Sequence, residues 1–231
     1  MKAFLLAAGN GTRLRPLTDT QPKCLLPVGG VPLLSIWLEL CRRHGIDEVL
    51  INLHAHPEPI RDFVASNPMD IRVKLFEEPE LLGSAGTVAA NREWLSDEES
   101  FWILYADVLT NMNLRAVLDF HRTQKTAATL ALYRVPDPSR CGIATVDDKG
   151  RVTAFVEKPR VATNNLAFSG VLLGTQEFLD VIPQRFPADI GFDVLPRLAG
   201  RMSAFATSEY VLDIGTLSNY REAQATWPGL V

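Results

Sequence analysis

Cysteine is scarce in this chain, and its placement excludes more than its number does. Cys24, Cys41 and Cys141 are odd in count, far apart and without a Cys-x-x-Cys pair, so neither a disulfide framework nor a structural zinc site is expected. Excess positive charge is missing too: 23 Lys and Arg stand against 27 Asp and Glu, giving a net charge of −4 and a pI near 5.6. That balance argues against a nucleic-acid partner, so any phosphate recognition has to come from a local cluster of cations. No apolar run approaches the length of a membrane span, and the first residues enter a strand pattern rather than a cleavable apolar segment. No membrane partner is expected, and the expected location is cytoplasmic. Internal repeats and low-complexity linkers are lacking as well. The 231 residues, 47% of them apolar, suffice for one sizeable core, and a single domain over 1–231 is the expectation. Trp37 and Trp94 stay open as core or interface residues, with a homodimer as a candidate assembly.

What the chain does have stands at its start. A short apolar strand, Ala3-Phe4-Leu5-Leu6, runs into Ala7-Ala8-Gly9-Asn10-Gly11-Thr12-Arg13-Leu14-Arg15-Pro16, and Lys23-Cys24-Leu25-Leu26-Pro27 follows. Gly9 and Gly11 remove the Cβ atoms that would keep a phosphate from backbone N–H groups, and the small Ala7 and Ala8 let a flat base or ribose lie close. Arg13 brings a planar fork of donors and Lys23 a mobile point charge, two usual means of neutralising phosphate oxygens. A dinucleotide fingerprint does not fit: Leu14 stands where the third glycine belongs, and Val49-Leu50-Ile51-Asn52-Leu53-His54 ends without a carboxylate for a ribose. A Walker-type loop fails because no Gly-Lys-Ser/Thr follows Gly9 at the required spacing.

Strand-length apolar runs recur at Ala3–Leu6, Val49–Leu53, Val73–Phe76, Phe101–Tyr105, Ala128–Tyr133, Val152–Val156 and Val171–Leu173. Helical patterns alternate with the early ones, at Leu33–His44 with Gly45 as a stop, Pro57–Ser66, Thr87–Trp94 and Leu114–Lys125. The alternation predicts an α/β fold: a Rossmann-like, doubly wound mixed sheet, mostly parallel, with antiparallel additions in the second half that fold over the first half's site. Ligands of such sheets bind at the carboxyl ends of strands.

Two carboxylates fall at such ends. Asp107 follows Phe101–Tyr105, where it could be a helix cap, a turn residue or a ligand for a hard cation. Asp213 follows a second short apolar run and could equally open the turn into the last helix, with Thr216 or Ser218 as N-cap. The loop Glu80-Leu81-Leu82-Gly83-Ser84-Ala85-Gly86-Thr87 reads by itself as a helix entry capped by Ser84 or Thr87. Glu157-Lys158 reads as a solvated strand end. His54 and His56, flanked by Pro57 and Pro59, read as loop residues rather than a metal pair.

Leu6 to Thr18, followed by Pro22-Lys23 and Leu26-Pro27, resembles the signature of sugar-1-phosphate nucleotidylyltransferases, enzymes that join a nucleoside triphosphate to a sugar 1-phosphate and release pyrophosphate. The family pattern has proline directly after the lysine; Cys24 stands there instead, which predicts a slightly looser segment with the same chemistry. The resemblance implies a nucleotide-diphospho-sugar-transferase, GT-A-like fold. It implies a nucleotide site of Ala7, Ala8, Gly9, Gly11, Thr12, Arg13, Lys23 and Asp107, with Gly83, Ala85 and Gly86 against the base. Arg13, Lys23 and Asp107 would carry catalysis, and Asp107 with Asp213, the latter in an Asp-x-Gly-Thr element, would hold magnesium (Mg2+). Gly142, Glu157, Lys158 and Gly170 would bind the sugar phosphate, although Phe168-Ser169-Gly170 replaces the usual Asn-Ala-Gly and Asn164 and Asn165 lie just upstream. No hexapeptide repeats follow Tyr220, so the left-handed β-helix of some relatives is not expected. Asp189-Ile190-Gly191-Phe192-Asp193-Val194-Leu195-Pro196 looks most like guanylyltransferases of mannose or heptose 1-phosphate. Uridylyltransferases acting on N-acetylmuramate or glucose phosphates are the runners-up, and a catalytically silent nucleotide-sugar sensor is the rival from another class.

Overall fold

The structure, a computed structural model, describes residues 1–230. In chain order the strands are β1 (Lys2–Leu6), β2 (Pro27–Val28), β3 (Val31–Pro32), β4 (Glu48–Leu53), β5 (Arg72–Glu77), β6 (Ser100–Tyr105), β7 (Val108–Thr110), β8 (Ala128–Arg134), β9 (Gly142–Val146), β10 (Arg151–Glu157), β11 (Leu166–Thr175), β12 (Met202–Ala206) and β13 (Val211–Asp213). The α-helices are α1 (Leu33–Arg43), α2 (Pro57–Ser66), α3 (Ser84–Ala90), α4 (Leu114–Gln124), α5 (Gln176–Val181) and α6 (Leu217–Thr226). The chain forms an α/β fold with mixed sheets, and it divides into two compact units.

The first unit comprises Met1–Leu81, Leu104–Asn113 and the described residues from Glu209 onward. Its strands β5, β4 and β1 pair in that order and in parallel, Lys2 opposite Glu48 and Glu48 opposite Arg72. Helix α1 supplies the crossover from β1 toward β4. Leu33, Leu34, Trp37, Leu38 and Cys41 recur at helical spacing and are buried, and Gly45 beyond its end takes φ +74°. Trp37 is a core residue of this unit, its indole N–H donating to the Val108 carbonyl at 2.8 Å. Burial pushes the Cys24 and Cys41 thiols up to about 12, so both stay protonated. Strands β7 and β13 form an antiparallel ribbon in which Asp213 lies opposite Val108.

The second unit comprises Leu82–Ile103 and Leu114–Ser208. Strands β11, β8, β12, β10 and β9 pair in that order, and β9 also pairs with β11 through Ile143 and Ala167, so the five strands close on themselves. The expected antiparallel additions are therefore a closed set, with β8 and β12 as its parallel pair. Strands β9 and β12 escape the hydrophobic-run reading because Gly142–Val146 and Met202–Ala206 are short and rich in small residues. Strand β11 is longer than its apolar run, Val171–Leu173, because it continues through a bulge between Phe168 and Leu172.

Candidate active site

In the first unit the glycine-rich loop leaves β1 and passes Gly11, which takes φ +62° beside the Thr18 side chain. Glycine is the residue that adopts this left-handed conformation at least cost. Gly9 is different: a Cβ there would meet nothing within 4 Å, so internal packing does not require a glycine. The amides of Ala7 and Ala8 both donate to Asn52 Oδ1, at 2.6 and 3.3 Å. The amides of Gly9, Asn10 and Gly11 have no hydrogen-bond partner among the described residues. Successive N–H groups without partners are what an anion needs from a backbone.

Asp107 occupies the turn between β6 and β7, so it caps no helix. Its Oδ2 lies 2.6 Å from Lys23 Nζ, and both side chains are largely shielded from water. Asp213 ends β13, and its Oδ1 accepts from the Gly215 amide at 2.6 Å, while the Ile214 amide donates to the Asp107 carbonyl at 2.9 Å. A Cβ on Gly215 would fall 2.7 Å from Asp213 Oδ1 and 2.9 Å from Arg13 Nη2, which places the Arg13 guanidinium against the same turn. Although part of Asp213 is open to solvent, the protein atoms crowding its carboxyl hold it above the usual carboxylate range. The Asp107 charge acts in the same direction, and the Gly215 amide, Lys23 and Arg13 oppose it. Two neighbouring carboxylates fit magnesium, which takes hard oxygen ligands and fills its remaining positions with phosphate oxygens and water. Thr216 caps α6, accepting from the Asn219 amide at 3.2 Å, as one of the two expected caps.

The second unit gathers a different set. Glu157 at the end of β10 is mostly buried, and a Cβ on Gly142 or on Gly191 would come within 2.5 Å of its Oε2. Both glycines therefore make room for one carboxylate, and Gly142 also clears the Phe155 ring. Burial raises the Glu157 pKa; Lys158, with Nζ 3.6 Å from Oε1, lowers it and Asp189 raises it. Lys158 itself takes φ +48°, a strained conformation for a residue with a Cβ, and its ammonium lies 5.7 Å from the centroid of the exposed Phe192 ring. Phe192 stands on a π-helix, Ile190–Val194, whose N-cap Asp189 accepts from the Phe192 amide. Such helices are frequent at functional sites.

Helix α3 begins differently from its expected capping. Gly83, at φ +78°, is the N-cap and makes no side-chain cap bond. The Ser84 hydroxyl instead donates to Asp189 Oδ2 and accepts from the Ile190 amide, and Thr87 bonds back to the Gly83 carbonyl from inside the helix. The Ala188 carbonyl accepts from the Ala85 and Gly86 amides and would lie 2.3 Å from a Gly83 Cβ. Small residues here thus have a packing reason of their own.

A family model described as nucleotidyl transferase matches residues 2–228. The chain belongs to this nucleotidyl transferase family. It is 33% identical over 227 residues to mannose-1-phosphate guanylyltransferase 1 of Arabidopsis thaliana, covering 95% of this chain and 63% of that protein. It is 31% identical over 242 residues to UTP--glucose-1-phosphate uridylyltransferase of Synechocystis sp., covering 96% and 62%. Less than two thirds of either relative's length is therefore spanned. Among solved structures, HddC from Yersinia pseudotuberculosis superposes with a TM-score of 0.82 at 23% identity, covering 98% of this chain and 99% of that one, a likeness of fold.

Within the nucleotidyl transferase frame, Arg13, Lys23, Asp107 and Asp213 come together from four separate stretches of the first unit, and Glu157 and Lys158 from one stretch of the second. Gly170 occupies the β11 bulge at φ +78°. Sequence reasoning missed the pairing of Asn52 with the loop and the apposition of Gly191 to Glu157. The signal for Asn52 was a polar residue inside an otherwise apolar strand, where a buried amide must find partners. His54 is committed to the Glu78 carbonyl at 2.8 Å.

Proposed function

We propose that this chain transfers a nucleotidyl group from a nucleoside triphosphate to a sugar 1-phosphate, releasing pyrophosphate, with GTP and mannose or heptose 1-phosphate as substrates. The observation that carries the reading is the grouping of two cations and two carboxylates, Arg13, Lys23, Asp107 and Asp213, in the same unit as a loop whose Gly9, Asn10 and Gly11 amides are unpaired. In this reading the sugar phosphate oxygen attacks the α-phosphorus in line and the bond to pyrophosphate breaks. Arg13 and Lys23 neutralise charge on the departing pyrophosphate, and the loop amides hold it in place. Asp107 and Asp213 would hold magnesium, which when bound supplies positive charge to the phosphate oxygens. Lys23, which bonds Asp107, would turn its ammonium to a phosphate oxygen of the bound nucleotide. Glu157 accepts from sugar hydroxyls and Lys158 contacts the sugar phosphate. Of the three residues expected against the base, Gly83 is partly open and would face it, whereas Ala85 and Gly86 are buried with their amides on the Ala188 carbonyl and shape the loop from behind. Both units would belong to one nucleotidylyltransferase domain with a doubly wound, Rossmann-like nucleotide half, supported by a family match that runs from residue 2 to 228.

A UTP-dependent reaction on glucose or N-acetylmuramate 1-phosphate is the second reading. It is favoured by the Synechocystis uridylyltransferase, whose identity of 31% is close to the 33% of the guanylyltransferase. Pyrophosphate release with magnesium, crossing GTP, UTP, dTTP, CTP and ATP against mannose, glucose, heptose, N-acetylglucosamine and N-acetylmuramate 1-phosphates, separates the two. One dominant pair is expected; silence across the panel with nucleotide binding intact would reject both substrate readings and favour a sensor or a sugar outside the set.

A further inference from the structure

Asn52 is the last but one residue of β4, 4% exposed, where its neighbours Leu50, Ile51 and Leu53 are apolar and buried. Its carboxamide does two things at once. Oδ1 accepts from the amides of Ala7 and Ala8, and Nδ2 donates to Glu78 Oε1 at 2.8 Å. Glu78, 2% exposed, follows β5 and is held there by its own amide, which donates to the Leu53 carbonyl at 2.8 Å. The Ala7 and Ala8 N–H groups can only donate, so the Asn52 oxygen faces the loop, and Glu78 accepts from the NH2 side that then faces it. The orientation that is ambiguous for most amides is set here by chemistry.

We infer that Asn52 is a positioning residue for the polyphosphate loop, oriented by Glu78; the inference rests on reading that loop as the phosphate site. By taking the Ala7 and Ala8 amides, Asn52 ties the first turn of the loop to β4, and the unpaired amides begin at Gly9. A leucine at 52 would match the branched shape of asparagine and the apolar surroundings of the strand, yet leave two amides at the loop entrance without an acceptor and take from buried Glu78 the donor that Nδ2 supplies. The loop would then lose its anchor while the strand kept its packing.

Three proteins test this: wild type, Asn52→Leu and Glu78→Gln, each read by amide hydrogen exchange over residues 5–12 and by calorimetric titration with magnesium pyrophosphate, a probe that carries no base. In wild type the Ala7 and Ala8 amides should exchange slowly, like strand β1, and the Asn10 amide fast. Asn52→Leu should lose that protection and bind pyrophosphate about tenfold or more weakly, as expected for a misplaced binding group. Glu78→Gln, whose amide oxygen still accepts from Asn52, should keep both properties within about twofold. Fast exchange of Ala7 and Ala8 in wild type would overturn the inference even if Asn52→Leu fails to fold. So would unchanged pyrophosphate affinity in Asn52→Leu, or an equal loss in Glu78→Gln. A wild-type protein that protects Ala7 and Ala8 but binds no pyrophosphate would instead remove the phosphate reading of the loop, and this inference with it.

Discussion

Arg13 and Glu157 pose opposite problems at the scale of the residue. The Arg13 guanidinium donates no hydrogen bond to another described residue, so little of the fold depends on it. Arg13→Ala should therefore lose on the order of a hundredfold or more in turnover while its thermal midpoint stays near wild type; paired steady-state kinetics and calorimetry check this. Glu157 is costly to keep ionised, because burial raises its pKa. A group with a raised folded-state pKa contributes stability below its unfolded pKa and loses it as the pH rises through the folded value. Wild type should thus lose stability over that rise and Glu157→Gln should not. Urea midpoints near neutral pH should favour the variant, with the advantage shrinking below about pH 4, the ordinary carboxylate range. The ion pair with the exposed Lys158 ammonium, 3.6 Å away, offsets little of this. The roles of these residues were suggested by motif, but their partners were not. Nothing in the spacing of Gly142, Glu157 and Gly191 says that two glycines clear space for one carboxylate, since their apposition depends on how β9, β10 and the π-helix pack.

The elements were legible in proportion to how strongly they are patterned. Helix α2 spans the very residues of its periodic stretch, and α1 differs by one at its end. Strands β4, β5 and β6 each extend one residue past their apolar runs on at least one side. Short strands of small residues and the π-helix carry no such pattern. The entry to α3 was misread because Ser84 and Thr87 are good caps by type, whereas the loop from Ala188 to Ile190 claims the Ser84 hydroxyl and the first helical amides. Gly83 holds this junction through both its positive φ and its approach to the Ala188 carbonyl. Gly83→Ala should cost about 2 kcal/mol or more, from backbone strain together with the displaced carbonyl, measurable as a lower urea midpoint. Gly9→Ala, with open space around its Cβ position, should be nearly neutral for stability and should instead weaken nucleotide binding.

At the scale of the whole molecule the proposed reaction should come apart by ligand. Asp107→Asn and Asp213→Asn, in the first unit, should weaken binding of the magnesium nucleotide, as isothermal titration would register. Lys158→Ala, in the second, should raise the KM for sugar 1-phosphate and leave nucleotide affinity unchanged. If all three variants lowered both affinities alike, the division of labour would be wrong. The sequence by itself determined the α/β class, the parallel pairing of the first strands and the family, because those follow from hydrophobic period and from motifs contiguous in the chain. Only the tertiary structure decided that Lys23 bonds Asp107, that Asp213 lies beside them, that Asn52 and Glu78 anchor the loop, and that five strands close on themselves. Each of these joins residues tens of positions apart, and contacts at that range are set by strand register and side-chain packing, on which local sequence carries no information.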